Sequence, residues 1–179
     1  YDSIVVLVAS SEGTTRWRIA RHSWAFILSM WNLPKEGFRE LYEQLPSGKP
    51  PFDDVWRWTG GNPRYLDVLY RVNWNVDVVI SQIMGRILSS RFIEQWRKHL
   101  EAIIEDPDYL WISRELELDN LVKELESLNM IVYSLPERNI QNLWLDTPMP
   151  ERDKELGIGK YVAWQTPLHR EAIRRACIK

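Results

Sequence analysis

Hydrophobic residues open the chain as one unbroken run and later recur at helical spacing. Residues 4–9 are apolar at every position, which is typical of a strand buried on both faces of an α/β sheet. Ser10 and Ser11 close this run, and ligands of such sheets bind at the carboxyl ends of strands. A shorter apolar segment at residues 26–28 predicts a second strand.

Helical patterning follows these strands. The first helix begins after Pro34, and its apolar positions share one face. A turn-rich linker over residues 46–51 leads into a short helix with Asp53 or Asp54 as its cap. Residues 76–105 are mostly helical and carry two apolar stripes. The apolar face of the first helix consists of Phe38, Leu41, Tyr42 and Leu45.

The last third of the chain predicts helix, helix, strand, loop, strand and helix. The strands fall at residues 130–135 and at their partner, residues 161–165. The long polar connection between them, which contains Trp144, is a candidate contact loop. A basic helix over residues 168–178 closes the chain. Helices followed by a two-stranded wing are the pattern of a winged helix.

The segment TGGNPR joins the end of one predicted helix to the start of the next. Gly60 and Gly61 fit a helix stop, Asn62 an N-cap and Pro63 the first helical position. The glycines also lack a Cβ, so a flat ligand can approach the backbone closely. Arg64 follows in the first turn, within reach of a phosphate. A plain helix junction and a nucleotide-binding corner both fit these residues.

The order of elements resembles that of archaeal ATPases of the STAND class, in the AAA+ superfamily of P-loop NTPases. There a sensor-1 strand precedes a helical lid, and a GxP motif begins a lid helix with its proline near the adenine. SIVVLVASSEG is similar to the sensor-1 strand and TGGNPRYL to the GxP segment. The resemblance covers essentially the whole chain.

This resemblance implies an α+β, mostly helical fold in three parts. Residues 1–48 would be the end of an α/β nucleotide-binding domain, residues 49–105 a helical lid, and residues 106–179 a winged-helix domain. Lid and winged helix would couple the nucleotide state to a protein partner.

The resemblance also implies which residues contact ATP or ADP. Gly61 and Pro63 match the GxP motif and would contact the base, with Gly60 and Asn62 beside them. Arg64 would act as a sensor-2 arginine.

Three further residues have implied catalytic positions. Ser10 or Ser11 would lie near the γ-phosphate at the sensor-1 position. Arg21 lies between the sensor-1 strand and the next strand, where it would serve the phosphates or a neighbouring subunit of a homo-oligomer. An ordinary surface charge is the simpler interpretation of Arg21.

Two motifs that ATP hydrolysis requires are missing from the sequence. It contains no G-x-x-x-x-G-K-S/T phosphate loop, because Gly48-Lys49 is followed by Pro50 in the linker. No apolar run ends in Asp-Glu, so Mg²⁺ has no ligand of that kind. Both motifs would precede Tyr1, which is not a methionine. We therefore expect ATP or ADP with Mg²⁺ to bind a longer protein, and no hydrolysis by this chain alone.

Composition excludes several classes of protein. Hydrophobic content of 45%, charged content of 27% and a net charge of −2 are ordinary for a globular domain. Cys177 is the one cysteine, so a reducing cytoplasm is expected, and no apolar run has the length of a membrane span. His22, His99 and His169 show no metal-ligand spacing and are expected at the surface or in packing contacts.

Charge is distributed unevenly near the end of the chain. Five acids surround Lys123 in and beside the second helix of the proposed winged helix, which argues against reading of DNA and favours a protein partner or a solvated face. The acids are Glu115, Glu117, Asp119, Glu124 and Glu126. A basic cluster on the last helix instead suits the helix dipole, nucleic acid or an acidic partner. It consists of Arg170, Arg174, Arg175 and Lys179. A non-enzymatic winged-helix adaptor that binds DNA or protein is therefore the alternative function.

Overall fold

The computed structural model describes residues 8–10, 14–22, 30–87, 89–133, 135 and 151–178. This part of the chain is mostly helical with one small antiparallel sheet, which fits the predicted α+β class. Its helices are α1 (Thr15–Ala20), α2 (Lys35–Glu43), α3 (Phe52–Thr59), α4 (Pro63–Arg71), α5 (Val76–Ile87), α6 (Ser90–Glu105), α7 (Tyr109–Ile112), α8 (Leu118–Ser127) and α9 (Pro167–Ile178). The strands are β1 (Ile131–Tyr133) and β2 (Val162–Trp164).

Several predicted features lie outside the described residues. They are residues 4–7 of the first predicted strand, the strand at residues 26–28, and Trp144 in the long connection. For Val8 and Ala9 the prediction of a strand buried on both faces was wrong, because both residues lie outside any strand and are exposed. Helix α1 was not among the predicted elements. It has only six residues, and Thr14 before it makes no side-chain cap hydrogen bond, so it carries neither a long apolar stripe nor a cap signal.

The helices α2, α3 and α4 enclose a small aromatic core. Phe38 and Tyr42 of α2 are buried against Phe52 of α3, as the predicted apolar face required. The prediction that Asp53 or Asp54 caps α3 was wrong. Pro51 is the N-cap, so both carboxylates lie in the first turn, where the helix dipole favours them.

The main core forms around α9, which contacts α3, α5 and α6. Leu168 and Ile173 on α9 are fully buried, as is Leu100 on α6, and their burial stabilises the fold by about 2 kcal/mol per side chain. The apolar stripes predicted for residues 76–105 are confirmed where the structure describes their side chains, because Ile80 and Ile83 of α5 and Ile93 of α6 also lie in this core. The core includes residues from both the 49–105 and the 106–179 segments, and the domain division stays a prediction.

The described residues contain one sheet, which has two strands. Strand β1 pairs antiparallel with β2, with Val132 opposite Ala163, so the predicted strand partners are confirmed. The turn before β2 is fixed by Asp108, which is 3% exposed. Its carboxylate accepts hydrogen bonds from three successive backbone N–H groups, those of Lys160, Tyr161 and Val162, at 2.7, 2.8 and 3.0 Å. No helix in the described residues combines the length and apolarity that a membrane span requires.

Candidate functional site

The predicted junction between helices forms a tight corner, residues 60–64. Gly60 ends α3 in the left-handed conformation with φ 56°, and its N–H donates to the Trp56 carbonyl at 2.8 Å. Gly61 follows with φ 82°. Asn62 caps α4, accepting a hydrogen bond from the Tyr65 N–H at 3.2 Å. The predicted stop, cap and N1 proline are all confirmed.

Gly61 lies directly against the backbone that precedes α2. The Leu33 N–H donates to the Gly61 carbonyl at 3.0 Å. A Cβ at Gly61 would overlap the Leu33 carbonyl oxygen and lie 3.0 Å from the Trp56 ring. The close approach expected of a ligand is therefore made by the chain's own backbone, and contact between Gly61 and a base stays a prediction.

The corner also contacts the junction between β2 and α9. The Asn62 side-chain amide donates to Asn32 Oδ1 at 2.8 Å, and Asn32 in turn donates to the Gln165 carbonyl at 3.2 Å. A Cβ at Gly60 would lie 3.1 Å from the Pro167 ring. The contacts with Gln165 and Pro167 join residues more than a hundred positions apart in sequence.

A second connection between α4 and α9 passes through His169. The Tyr65 hydroxyl lies 3.0 Å from His169 Nε2, and the Thr166 hydroxyl lies 2.8 Å from Nδ1. Burial, with a smaller contribution from the Arg64 charge, lowers the pKa of His169 to about 4. The imidazole is therefore neutral at pH 7 and packs edge-on against the Tyr65 ring. This fits the expectation that His169 is a packing residue.

Pro63 and Arg64 form the solvent-facing side of the corner. In the described part of the chain, no carboxylate forms an ion pair with Arg64. A cation of this kind beside an exposed proline ring is free to meet an anionic, flat ligand.

The other predicted site residues lie at α1 or outside the described residues. The Ser10 hydroxyl is 2.8 Å from that of Thr15, at the start of α1. Arg21 is the exposed C-cap of the same helix. Ser11 lies outside the described residues. The structure brings residues 60–64 together at one corner, while the roles of Ser10, Ser11 and Arg21 stay predictions.

The arginines of the basic helix α9 have protein partners. Arg174 and Arg175 both bind Glu171, and Arg175 also binds Asp77 at 2.6 Å. Arg170 donates to the carbonyls of residues 154 and 155. Lys179 lies outside the described residues. Nucleic-acid binding by this cluster stays a prediction, and these ion pairs would compete with phosphate.

An open cavity of about 920 Å³ lies between α3, α9 and the loop before β2. Its wall includes Trp58 and Trp74, and it carries charges of both signs, such as Arg57 and Glu105. Sequence patterning does not reveal it, because its walls come from separate stretches of chain. The mixed charge gives it no preference for an anion.

We compared the chain with protein-family models, curated proteins and solved structures. Residues 1–69 match the family model of an ATPase domain found predominantly in Archaea. The match includes the predicted sensor-1 strand and the whole corner, and it ends within α4. Neither the curated proteins nor the solved structures gave a significant match. The first part of the chain is thus related to an ATPase domain.

Proposed function

We propose that the protein is the C-terminal part of an ATP-binding switch of the STAND class. In this proposal, residues 49–105 are the lid, residues 106–179 are a winged helix, and the corner at residues 60–64 contacts ATP or ADP. The family match to residues 1–69, which contains the corner, supports it. The missing phosphate loop and acidic strand end would be supplied by residues upstream of Tyr1, where Mg²⁺ would also bind.

The residues present at the corner fit the base side of a nucleotide. The exposed Pro63 ring offers an apolar face for adenine, and the Arg64 guanidinium can bind a phosphate oxygen. Gly60 and Gly61 shape the bend that presents both side chains. The residues that would hydrolyse the nucleotide are not among those at the corner, so the corner itself would contribute binding and orientation.

The observation that carries the coupling is the set of hydrogen bonds that link the corner and the adjoining Tyr65 to the segment where α9 begins. Asn62 reaches Gln165 through Asn32, and Tyr65 reaches His169. Because α9 follows β2 and packs on α5 and α6, a displacement of the corner would shift the wing. The lid would close onto the α/β domain in the ATP-bound state and reopen after hydrolysis.

The winged helix would pass this movement to a protein partner. In this proposal, α7 and α8 would be its helical pair, and β1 and β2 would be its wing. The acids on and before α8 would repel a phosphate backbone, so we favour a protein over DNA. The arginines of α9 are already paired with carboxylates and carbonyls, which weakens the case for the DNA-binding adaptor.

The test is nucleotide binding by the protein that includes the residues upstream of Tyr1. We expect a fluorescent ADP analogue to bind, and the double change Pro63→Ala and Arg64→Ala to weaken binding at least about tenfold. Both side chains are exposed, so these changes leave the corner folded. Arg71→Ala, an exposed arginine of the same helix, is the matched control and should bind normally. Failure of the protein to bind ATP or ADP, or equal binding by the double variant, would refute the proposal.

A further inference from the structure

Three potential metal ligands meet where α6 passes the turn between α7 and α8. His99 lies on α6, and Glu115 and Glu117 lie in the turn. One ligand atom from each lies within 4.8 Å of the others. His99 Nε2 is 3.3 Å from Glu117 Oε1 and 3.7 Å from Glu115 Oε2. The sequence shows no metal-ligand spacing here because 16 and 18 positions separate the histidine from the two glutamates.

The distances from His99 Nε2 to the two carboxylate oxygens match those between ligand atoms that share one metal ion. Zn²⁺ binds imidazole nitrogen and carboxylate oxygen at about 2.0–2.1 Å, so ligands at the corners of a tetrahedron are about 3.4 Å apart. The two distances from Nε2 fall on either side of that value. A cation therefore fits between the three atoms after small rotations of the exposed glutamate side chains.

The hydrogen bonds of the imidazole point its Nε2 toward the glutamates. Nδ1 lies 3.1 Å from the Tyr109 hydroxyl, which is itself 3.4 Å from Glu115 Oε1. When Tyr109 donates to Glu115, Nδ1–H donates to Tyr109, and the Nε2 lone pair faces the carboxylates. Metal-bound histidines are oriented in the same way, by a hydrogen bond from the other ring nitrogen.

Charge at the cluster also favours a cation. The Glu115 and Glu117 carboxylates lie side by side, and in the described part of the chain no lysine or arginine pairs with either. The His99 side chain is 8% exposed, while those of Glu115 and Glu117 are 44% and 63% exposed. A buried nitrogen with two carboxylates at the surface leaves a path from solvent and room for a water ligand.

We propose that His99, Glu115 and Glu117 bind one divalent transition-metal ion, with Zn²⁺ as the best fit, and that water completes the coordination. Imidazole selects Zn²⁺ and its neighbours over Mg²⁺ and Ca²⁺, which prefer oxygen ligands alone. The ion would fasten the turn before α8 to α6 and so fix the start of α8. This site is independent of nucleotide binding at the corner. The competing arrangement is a proton shared between His99 and the glutamates.

The experiment titrates tag-free, chelator-treated protein with ZnCl₂ in a calorimeter, and follows the melting temperature with Zn²⁺ or Mg²⁺. We expect one Zn²⁺ per chain, a melting temperature that rises with Zn²⁺, and no rise with equal Mg²⁺. Glu115→Gln and Glu117→Gln should each weaken Zn²⁺ binding at least about tenfold. Both positions are at the surface, so the variants should keep the far-UV circular dichroism of the parent.

Glu124→Gln is the matched control, because Glu124 is an exposed acid on α8 away from the cluster. It should bind Zn²⁺ as the parent does. Two results would overturn the proposal. One is the absence of binding up to millimolar Zn²⁺, as the shared proton predicts. The other is equal binding by the parent and both glutamine variants, which would move the ion to His22 or another ligand.

Discussion

Replacement of Gly61 by alanine tests whether the corner is held by the chain's own backbone. Two effects act at this position. The residue has φ 82°, which is unfavourable for any residue with a Cβ. The new methyl group would also overlap the Leu33 carbonyl oxygen and crowd the Trp56 ring.

The magnitude follows from these two effects. The left-handed conformation costs about 1–2 kcal/mol for a residue with a Cβ. Relief of the overlap requires the segment before α2 to move, which breaks the Leu33–Gly61 hydrogen bond and costs about 1 kcal/mol, with about 1–3 kcal/mol more for repacking. We expect a loss of about 4 kcal/mol in the free energy of unfolding. At about 2–4 °C per kcal/mol for a chain of this size, the melting temperature falls by about 12 °C.

Two other glycines serve as matched controls. Gly48 has φ 91° and no atom within 4 Å of the position that a Cβ would take, so Gly48→Ala isolates the backbone cost. Gly85 lies in α5 with open space around it, and Gly85→Ala should stabilise the protein by up to about 1 kcal/mol. Urea unfolding of the three variants measures the differences. A loss for Gly61→Ala no greater than that for Gly48→Ala would show that Leu33 yields freely and that the reasoning is wrong.

Three further predictions rest on buried polar groups and on the corner. Asp108→Ala leaves three backbone N–H groups at the turn into β2 without their carboxylate, and urea unfolding should show a loss of about 3 kcal/mol, against almost none for the exposed Asp119→Ala. The pKa of His169 is about 4 in the folded protein, so the unfolded chain takes up its proton first as the pH falls from about 6.5 to about 4. The free energy of unfolding should drop by about 3 kcal/mol across that window, and His169→Gln should remove most of that slope. Asn32→Ala removes the link between Asn62 and Gln165 and should cost about 1–2 kcal/mol in thermal melts; an unchanged melting temperature would show that the link carries no stability.

Local signals in the sequence predicted most of the helices and the two paired strands. Asn62 and Pro63 show a helix start by their own chemistry, and the pair Gly60-Gly61 shows the stop before it, because caps and left-handed residues depend on a few neighbouring positions. The apolar stripe on α6 could be predicted because the helical period of its apolar residues is visible without knowledge of the elements that pack against it. The pairing of the two strands could also be predicted from local patterns, because two short apolar segments flank one long connection.

Contacts between residues that are far apart in sequence could not be predicted from such local signals. Asp108 is, locally, part of a sequence that ends a helix, and its role depends on a turn 52–54 positions later. Likewise, the acids at Glu115 and Glu117 have the pattern of a solvated face. Only the reversal of the chain at α7 brings them to His99. The role of such a carboxylate or imidazole can be assigned only when the fold shows its partner, because the residue type alone does not indicate which distant group it will contact.

The corner has a structural role and a proposed role in nucleotide binding, and a substitution tests the second role only at a residue that the first does not require. Gly61 is required by the Leu33 backbone whether or not a nucleotide binds, so a loss of binding after its substitution would not distinguish a lost contact from a lost fold. The same holds for Asn62, whose side chain both caps α4 and joins Asn32. Pro63 and Arg64 face solvent, and although Pro63 is the N1 residue of α4, alanine is also accepted at that position. Adenine-nucleotide binding must therefore be tested at these two side chains. The proposed coupling must be tested at Asn32, which joins the corner to Gln165 before α9; there we expect nucleotide binding to persist while the coupling to the β1–β2 sheet is lost.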